Sequence, residues 1–499
     1  MSRTAQVSSQ ARDAPIPSTD TEPRTSHVGS TAHRARDLPH SRPTQGAPPP
    51  RARGLHPSQP MTPTVSSPLT TSADVRPVGA GERVVLLDTL RGFALCGVLM
   101  ANVYLWFSGR MFLSRAQFET AMKDATWLDI AINHAFGPLI GGRFITIFSF
   151  LFGLGFAVQL GRAEDRGTSV GPVYARRLAV MLGLGLAHLF LLFQGDIIST
   201  YALLGFTLLL FHRRSDRALL LWAAALLFLA PILVNVALRL PQWLGGPEAL
   251  AAAKAAGEHR AALRAQVLEA FSHGSWWDTV RDGAAYYVGD LFKMLSTFWP
   301  VIVGRFLLGL WAGRRRLFHD APQHLPFFRR LFGWSLALGL FASGVGVLVG
   351  QLFSRKLLTP DALPWLPFAM GPMRHLGEVG MAAAYVSGIT LLFQRQAWRR
   401  LLGVFAPVGQ MALSNYLLQS VLGVLLFYGL GLGLIGRLGS AAQLAVALAI
   451  FAVQAGLSRL WLARFRFGPA EWVTRSLTYG KAQPMRRAPT PGDKGMVSA

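Results

Sequence analysis

Beyond about residue 83 the chain is a succession of long apolar runs joined by polar, arginine-rich connections. A helix that crosses a bilayer needs about 20 mostly apolar residues. Ten runs reach or approach that length: Val84–Trp106, Pro138–Gly161, Tyr174–Phe193, Ile197–Phe211, Ala218–Leu238, Tyr287–Trp311, Leu331–Phe353, Leu376–Phe393, Leu401–Tyr428 and Ala441–Leu462. The fourth is short, and only Gln194-Gly195-Asp196 separates it from the third, a spacing that predicts a tight helical hairpin. The pattern predicts an all-α fold, a polytopic transmembrane helix bundle of about 10 spans. Residues 241–286 interrupt it with Ala-rich helical sequence and the pair Trp276-Trp277, which suits a lipid–water interface. The chain then divides into N-terminal membrane helices over 83–240, an extracytoplasmic segment over 241–286, C-terminal membrane helices over 287–480 and a basic flexible tail over 481–499.

Residues 1–82 break the pattern. They are rich in Ser, Thr, Pro, Ala and Arg, with no periodic apolar face. Such a segment cannot bury enough surface to offset its ordering entropy, so a disordered tail is expected. It lacks the apolar stretch of a secretory signal. Its arginines suit loose contact with anionic lipid, beside the plainer reading of an inert extension.

Composition supports the lipid reading: 51% of residues are hydrophobic and 15% charged, against about 25% charged in a soluble domain. The net charge of +24 would suggest nucleic acid in a soluble protein. Here the arginines concentrate in every second connection: Arg162 to Arg177, Arg213 to Arg217, Arg314 to Arg330, Arg395 to Arg400 and the C-terminus. That alternation is the positive-inside pattern and predicts that both termini are cytoplasmic, with membrane lipids and not nucleic acid as the surroundings. A single cysteine, Cys96, excludes an intrachain disulfide and a Cys-based metal site. The glycine-rich LGLGLAH and GLGLIG stretches lie in or beside apolar runs and follow no strand, which argues against a dinucleotide site. No metal site and no tightly bound cofactor are expected.

Ionisable residues inside spans are rare and suggest function by default. In the first span Asp88 and Arg91 are three apart, and Asn102 follows Arg91 by eleven residues, close to three turns. The three form one stripe. Asp88–Arg91 is either a locking ion pair with Asn102 as interhelical glue, or Arg91 is an anchor for an anion such as a nucleotide phosphate. In the second span Gly153 and Gly155 allow close helix approach, the phenylalanines 148, 150 and 152 suit packing, and Arg143 suits snorkelling to headgroups.

His188 lies about two turns before the hairpin, either as a hydrogen-bonded core residue or as a general base. Asp196 precedes a helix and suits an N-cap, a role compatible with orienting His188 across the hairpin. In the eighth span Arg374 and Glu378 are spaced i, i+4, and His375 and Glu378 i, i+3. Glu378 is read as an ion-pair partner or as the carboxylate of a catalytic histidine. Asn415 and Gln419, one turn apart, suit interhelical hydrogen bonds. After the last span, Pro469 and Glu471 suit a helix start, and Trp472, Leu477 and Tyr479 an interfacial face with Arg475 towards phosphates.

The segments LDTLRGFALCGVLMANV, GRFITIFSFLFGLGFA and AHLFLLFQGDIISTYAL resemble the YeiB-like family of bacterial membrane proteins. The later pair GQMALSNYLLQS and RFRFGPAEWVTRSLTYG resembles the domain of unknown function 418. The resemblance covers roughly residues 83–487 and implies a bacterial cell membrane location. The LRG-containing first span is similar, at the level of fold, to transmembrane acyltransferases of the acyltransferase-3 and heparan-glucosaminide acetyltransferase-like groups. Those proteins move an acyl group from cytoplasmic acyl-CoA to an outward-facing hydroxyl or amine, with a histidine central to the chemistry. The resemblance implies Arg91 on the donor side and His188 with Asp196 on the acceptor side, with His134 a rival for the histidine role.

Two functions of different class follow. In the first, acyl-CoA enters past Arg91 and Arg177, and His188, oriented by Asp196 or Glu378, deprotonates an extracytoplasmic acceptor. In the second, a transporter or lipid-handling protein uses the same polar residues to line a path without covalent chemistry. The absence of an internal repeat and the scarcity of proline within the spans argue mildly against the second.

Overall fold

A computed structural model describes residues 84–487 apart from 166, 168, 360 and 361. The tail expected over 1–82 lies outside the described residues. Every named element is helical: α1 Val85–Asn102, α2 Arg115–Ala121, α3 Trp127–Leu139, α4 Arg143–Asp165, α5 Val170–Leu191, α6 Ile198–Gly205, α7 Leu208–Phe211, α8 Asp216–Ala224, α9 Ala230–Leu244 and α10 Gly246–His273. There follow α11 Trp276–Lys293, α12 Trp299–Arg314, α13 Leu325–Ser354, α14 Leu366–Leu392, α15 Gln396–Leu402, α16 Phe405–Gln410, α17 Ala412–Phe427, α18 Ser440–Arg464 and α19 Pro469–Tyr479.

Six helical stretches among the described residues are long and apolar enough to cross a membrane, or seven if the bent pair α11–α12 counts as one span. Ten were expected, and the difference has local causes. The run 197–211 divides into the short helices α6 and α7, and the run 401–428 divides into α15, α16 and α17. Helix α14 carries Arg374, His375 and Glu378 in its first half, which dilutes its apolar character.

Small residues set the closest helix crossings, as is usual in lipid, where packing and not water exclusion drives association. Gly153 of α4 lies against the Phe306 carbonyl of α12, and Gly309 of α12 against the Phe150 carbonyl. Gly92 of α1 and Gly409 of α16 bring those two backbones together in the same way. Helix α1 is therefore central, with Leu90, Ala94, Leu95 and Leu99 almost fully buried. By contrast α13 is peripheral: Trp334, Phe341 and Leu348, spaced by seven, are 72%, 62% and 58% exposed. That stripe faces what would be lipid.

Polar contacts fix the register of α17 against α18. The amide of Asn415 donates to Ser458 Oγ at 2.9 Å, and Gln419 donates to Gln454 at 2.9 Å. Gln454 returns a bond to the Asn415 carbonyl at 3.1 Å. These are the interhelical bonds that the sequence suggests for Asn415 and Gln419. After α19 the chain turns back, pairs Phe465 with Arg486 in a single antiparallel bridge, and accepts the Trp472 indole N–H at Gln483.

Candidate active site

One face from each of several helices encloses a cavity of about 440 Å³. From α1 come Leu87, Asp88, Arg91, Leu95, Val98 and Asn102, a three-to-four-residue repeat that keeps one side of the helix on the cavity. Helix α4 contributes Phe148, Phe152, Gly155, Gln159 and Arg162, and α5 contributes Tyr174, Arg177 and Met181. The hairpin adds Gly195, Ile197 and Ile198, α6 adds Tyr201, and α17 adds Tyr416. Arg91 and Asn102 are separated by about 16 Å of helix at 1.5 Å per residue. The cavity thus runs from an arginine-rich end, with Arg91, Arg162, Arg177 and Arg475, to a polar end at Asn102, Gly195 and Tyr416.

The stripe expected on α1 lines this cavity along its length. Arg91 binds Asp88 at 2.8 Å while a third of its side chain stays accessible. Gly155 also faces the cavity, with open space where a Cβ would stand. Its neighbour Gly153 is the one that makes the helix crossing.

At the polar end the hairpin folds back between α5 and α6. His188 Nδ1 lies 2.8 Å from Asp196 Oδ1, with both residues buried. The same carboxylate accepts the Ile198 N–H at 3.1 Å and the Ser199 N–H at 2.7 Å. Asp196 therefore caps α6 and holds His188 at once. Capping satisfies backbone donors at the positive end of the helix. With Nδ1 bound to Asp196, the other ring nitrogen, Nε2, is buried and has no hydrogen-bond partner among the described residues; His188 and Asp196 stand behind the cavity wall and do not line it. The ring packs on Tyr416, a cavity-lining residue, with centroids 5.3 Å apart.

Glu378 does not join this pair. It pairs with Arg305 and accepts from His375 Nδ1 at 3.0 Å, with Arg374 at 3.7 Å. The carboxylate that orients His188 is Asp196, and the histidine bound to Glu378 is His375. His134 is exposed, with Nδ1 on the Ile130 carbonyl and Nε2 facing Gln351. Arg143 is held inside the bundle: it is 6% exposed and donates to the Gly141 carbonyl and to Ser343 Oγ. Arg305, the buried partner of Glu378, was missed in the sequence. Its signal was an arginine inside the apolar run WPVIVGRFLLGLW.

The mouth at the arginine-rich end is completed by α19. Glu471 reaches the break between α16 and α17 and accepts from the Leu413 N–H at 2.7 Å and from Ser414 Oγ at 2.5 Å. It caps α17, not its own helix. Burial lifts its carboxyl above the usual range, against the opposing pull of those hydrogen bonds. Thr474, Arg475, Thr478 and Tyr479 face the cavity, while Val473 and Leu477 are exposed on the other side of the helix. The face expected at an interface is thus divided: Leu477 points outward and Tyr479 lines the cavity.

YxaH of Bacillus subtilis (strain 168) is 33% identical over 428 residues, which cover 83% of this chain and 99% of that protein. The family described as "protein of unknown function (DUF418)" matches residues 312–481. The chain belongs to the DUF418 family. YeiB of Escherichia coli (strain K12) is 27% identical over 414 residues, 81% of this chain and 98% of its own length. A 39.9 kDa protein of Bacillus acidopullulyticus, from the 3′ region of an amylase gene, is 27% identical over 420 residues, 82% of this chain and 97% of that protein. No solved structure matches. In this DUF418 protein the matched segment holds Glu378, the α17–α18 polar contacts and Glu471, whereas His188, Asp196 and Arg305 precede it.

Proposed function

We propose that this DUF418 protein is a membrane acyltransferase, using an acyl-CoA thioester that enters at the arginine-rich end of the cavity. The observation that carries the reading is the buried His188–Asp196 pair beside the polar end of a cavity whose other end is cationic. Asp196 fixes the tautomer that leaves Nε2 as base. Nε2 takes the proton of an acceptor hydroxyl or amine, whose oxygen or nitrogen attacks the thioester carbon. The C–S bond then breaks, and the departing thiolate takes its proton from the imidazolium. Arg91 and Arg177 hold donor phosphates, a task suited to planar guanidinium groups. If the arginine-rich end is cytoplasmic, by the positive-inside rule, the acceptor approaches from the opposite side.

The test is transfer of label from acyl-CoAs of graded chain length to lipid and saccharide acceptors by the full chain in nanodiscs. General base catalysis contributes about 10²–10⁴-fold, so His188→Gln should lower turnover at least a hundredfold. Equal turnover in that variant rejects His188 as the base.

One observation favours a second reading. Helices α16 and α17 break at Met411, at the arginine-rich mouth, with Gln410 and Ala412 on the cavity wall, and discontinuous helices that line a substrate path are a transporter feature. Uptake of a solute into liposomes without chemical change would favour it.

A further inference from the structure

A second buried polar cluster lies between α4, α12, α13 and α14, and its charges do not balance. Arg305 is 2% exposed, and its neighbours along α12, Ile302, Phe306 and Leu307, are all fully buried. Its carboxylate partner is Glu378, whose Oε2 also holds His375. Arg143 is 6% exposed, and both of its hydrogen-bond acceptors, the Gly141 carbonyl and Ser343 Oγ, are neutral. Two buried guanidinium groups therefore share one buried carboxylate. The Nε atoms of both arginines have no partner among the described residues. Arg374 adds a further cation 3.7 Å from Glu378, with an exposed side chain.

A guanidinium cannot escape this situation by losing its proton. An uncompensated buried ion is costly, most of all inside a membrane. What resolves the imbalance is an anion, and the fork of a guanidinium matches the paired oxygens of a phosphate. The position suits one: nineteen residues of α4 separate Arg143 from Arg162 at the arginine-rich end, about 28 Å of helix, close to the thickness of a hydrocarbon core. Arg143 thus sits near headgroup depth at the opposite end of the bundle.

We infer that Arg143 and Arg305 form a phosphate-binding site, separate from the His188–Asp196 pair and independent of whether acyl transfer occurs. Its ligand is a phosphate group, carried by an anionic lipid headgroup or by a soluble phosphate compound.

The test is thermal unfolding of the full chain in a phosphate-free maltoside detergent. Chloride at matched ionic strength is the reference, and the probes are inorganic phosphate and dihexanoyl phosphatidylglycerol. The wild type should gain about 2 °C or more with a probe that fills the site. A gain with phosphatidylglycerol alone assigns a lipid headgroup, and a gain with both assigns a soluble phosphate group. Arg143→Gln should abolish the gain, while Arg330→Gln, an exposed position on α13 away from both sites, should keep it. No gain in the wild type, or a gain that persists in Arg143→Gln, overturns the site. Should Arg143→Gln not accumulate, native mass spectrometry of the wild type and Arg143→Lys decides. Phosphatidylglycerol should be retained at least tenfold more by the wild type, and equal retention rejects the site.

Discussion

His188 and Asp196 are eight residues apart and hydrogen-bonded at 2.8 Å, because the chain reverses between α5 and α6 within a few residues. One carboxylate therefore serves both the imidazole and two backbone N–H groups at the start of α6. Substitutions can separate these duties. Asp196→Asn keeps an oxygen for the cap and loses the charge, whereas Asp196→Ala loses both. The Ala variant should be less stable by about 1 kcal/mol, the worth of an N-cap. The Asn variant should lose turnover with a smaller loss of stability. Unfolding midpoints measured beside transfer rates distinguish them, and a fully active Asn variant would remove Asp196 from the chemistry.

The arginines at the cavity mouth should act on binding and not on the chemical step. Arg177→Gln is expected to raise the KM for the thioester donor about tenfold with kcat little changed, the signature of uniform binding. Arg91→Gln is less clean, since it strands the buried Asp88 carboxylate. The pair Arg91→Gln with Asp88→Asn avoids that. Initial rates across donor concentration and salt provide the check, and a fall in kcat at constant KM would contradict a donor-anchoring role.

Docking of α19 should depend on pH through Glu471. Burial raises its carboxyl above the usual range, so the folded state holds the proton more tightly than the unfolded state. Within the window between the usual and the raised values, the folded state carries more protons, and stability falls as pH rises. Amide exchange in α19 should accordingly speed up as pH rises through that window, beyond its intrinsic pH dependence. Glu471→Gln should flatten the effect. An equal slope in both proteins would assign it elsewhere.

Two glycines one residue-pair apart on α4 should respond in opposite ways. Gly153 lies on the α12 backbone and Gly155 on open cavity. Gly153→Leu should destabilise the bundle by about 1–3 kcal/mol or more, because the α4–α12 crossing has no room for a side chain. Gly155→Leu should fold and obstruct the cavity. Accumulation in membranes and thermal unfolding test the first; donor binding by the folded variant tests the second.

The local chemistry of the hairpin was legible from the chain. Gly195-Asp196 before an apolar helix reads as a turn and a cap, and a short reversal returns the next helix to His188. The stripe of Asp88, Arg91 and Asn102 follows from helical spacing, and so does the cavity face of α1. Other partners join elements distant in sequence. Glu378 and Arg305 are 73 residues apart, and Glu471 caps α17 from 58 residues away. Spacing along one helix offered Glu378 only its neighbours Arg374 and His375, and offered Glu471 only its own helix.

By itself, then, the sequence determined that the chain is a bundle of apolar helices, where it reverses, and which end is rich in arginine. These follow from residue hydropathy and from the fixed 3.6-residue turn. Only the tertiary structure decided that Arg143 is buried against α13, that Glu378 pairs with Arg305, and that Met411 breaks a run expected to be continuous. Those outcomes depend on which helix faces lie together, and glycine-mediated crossings such as Gly153 on Phe306 and Gly409 on Asp88 set that arrangement.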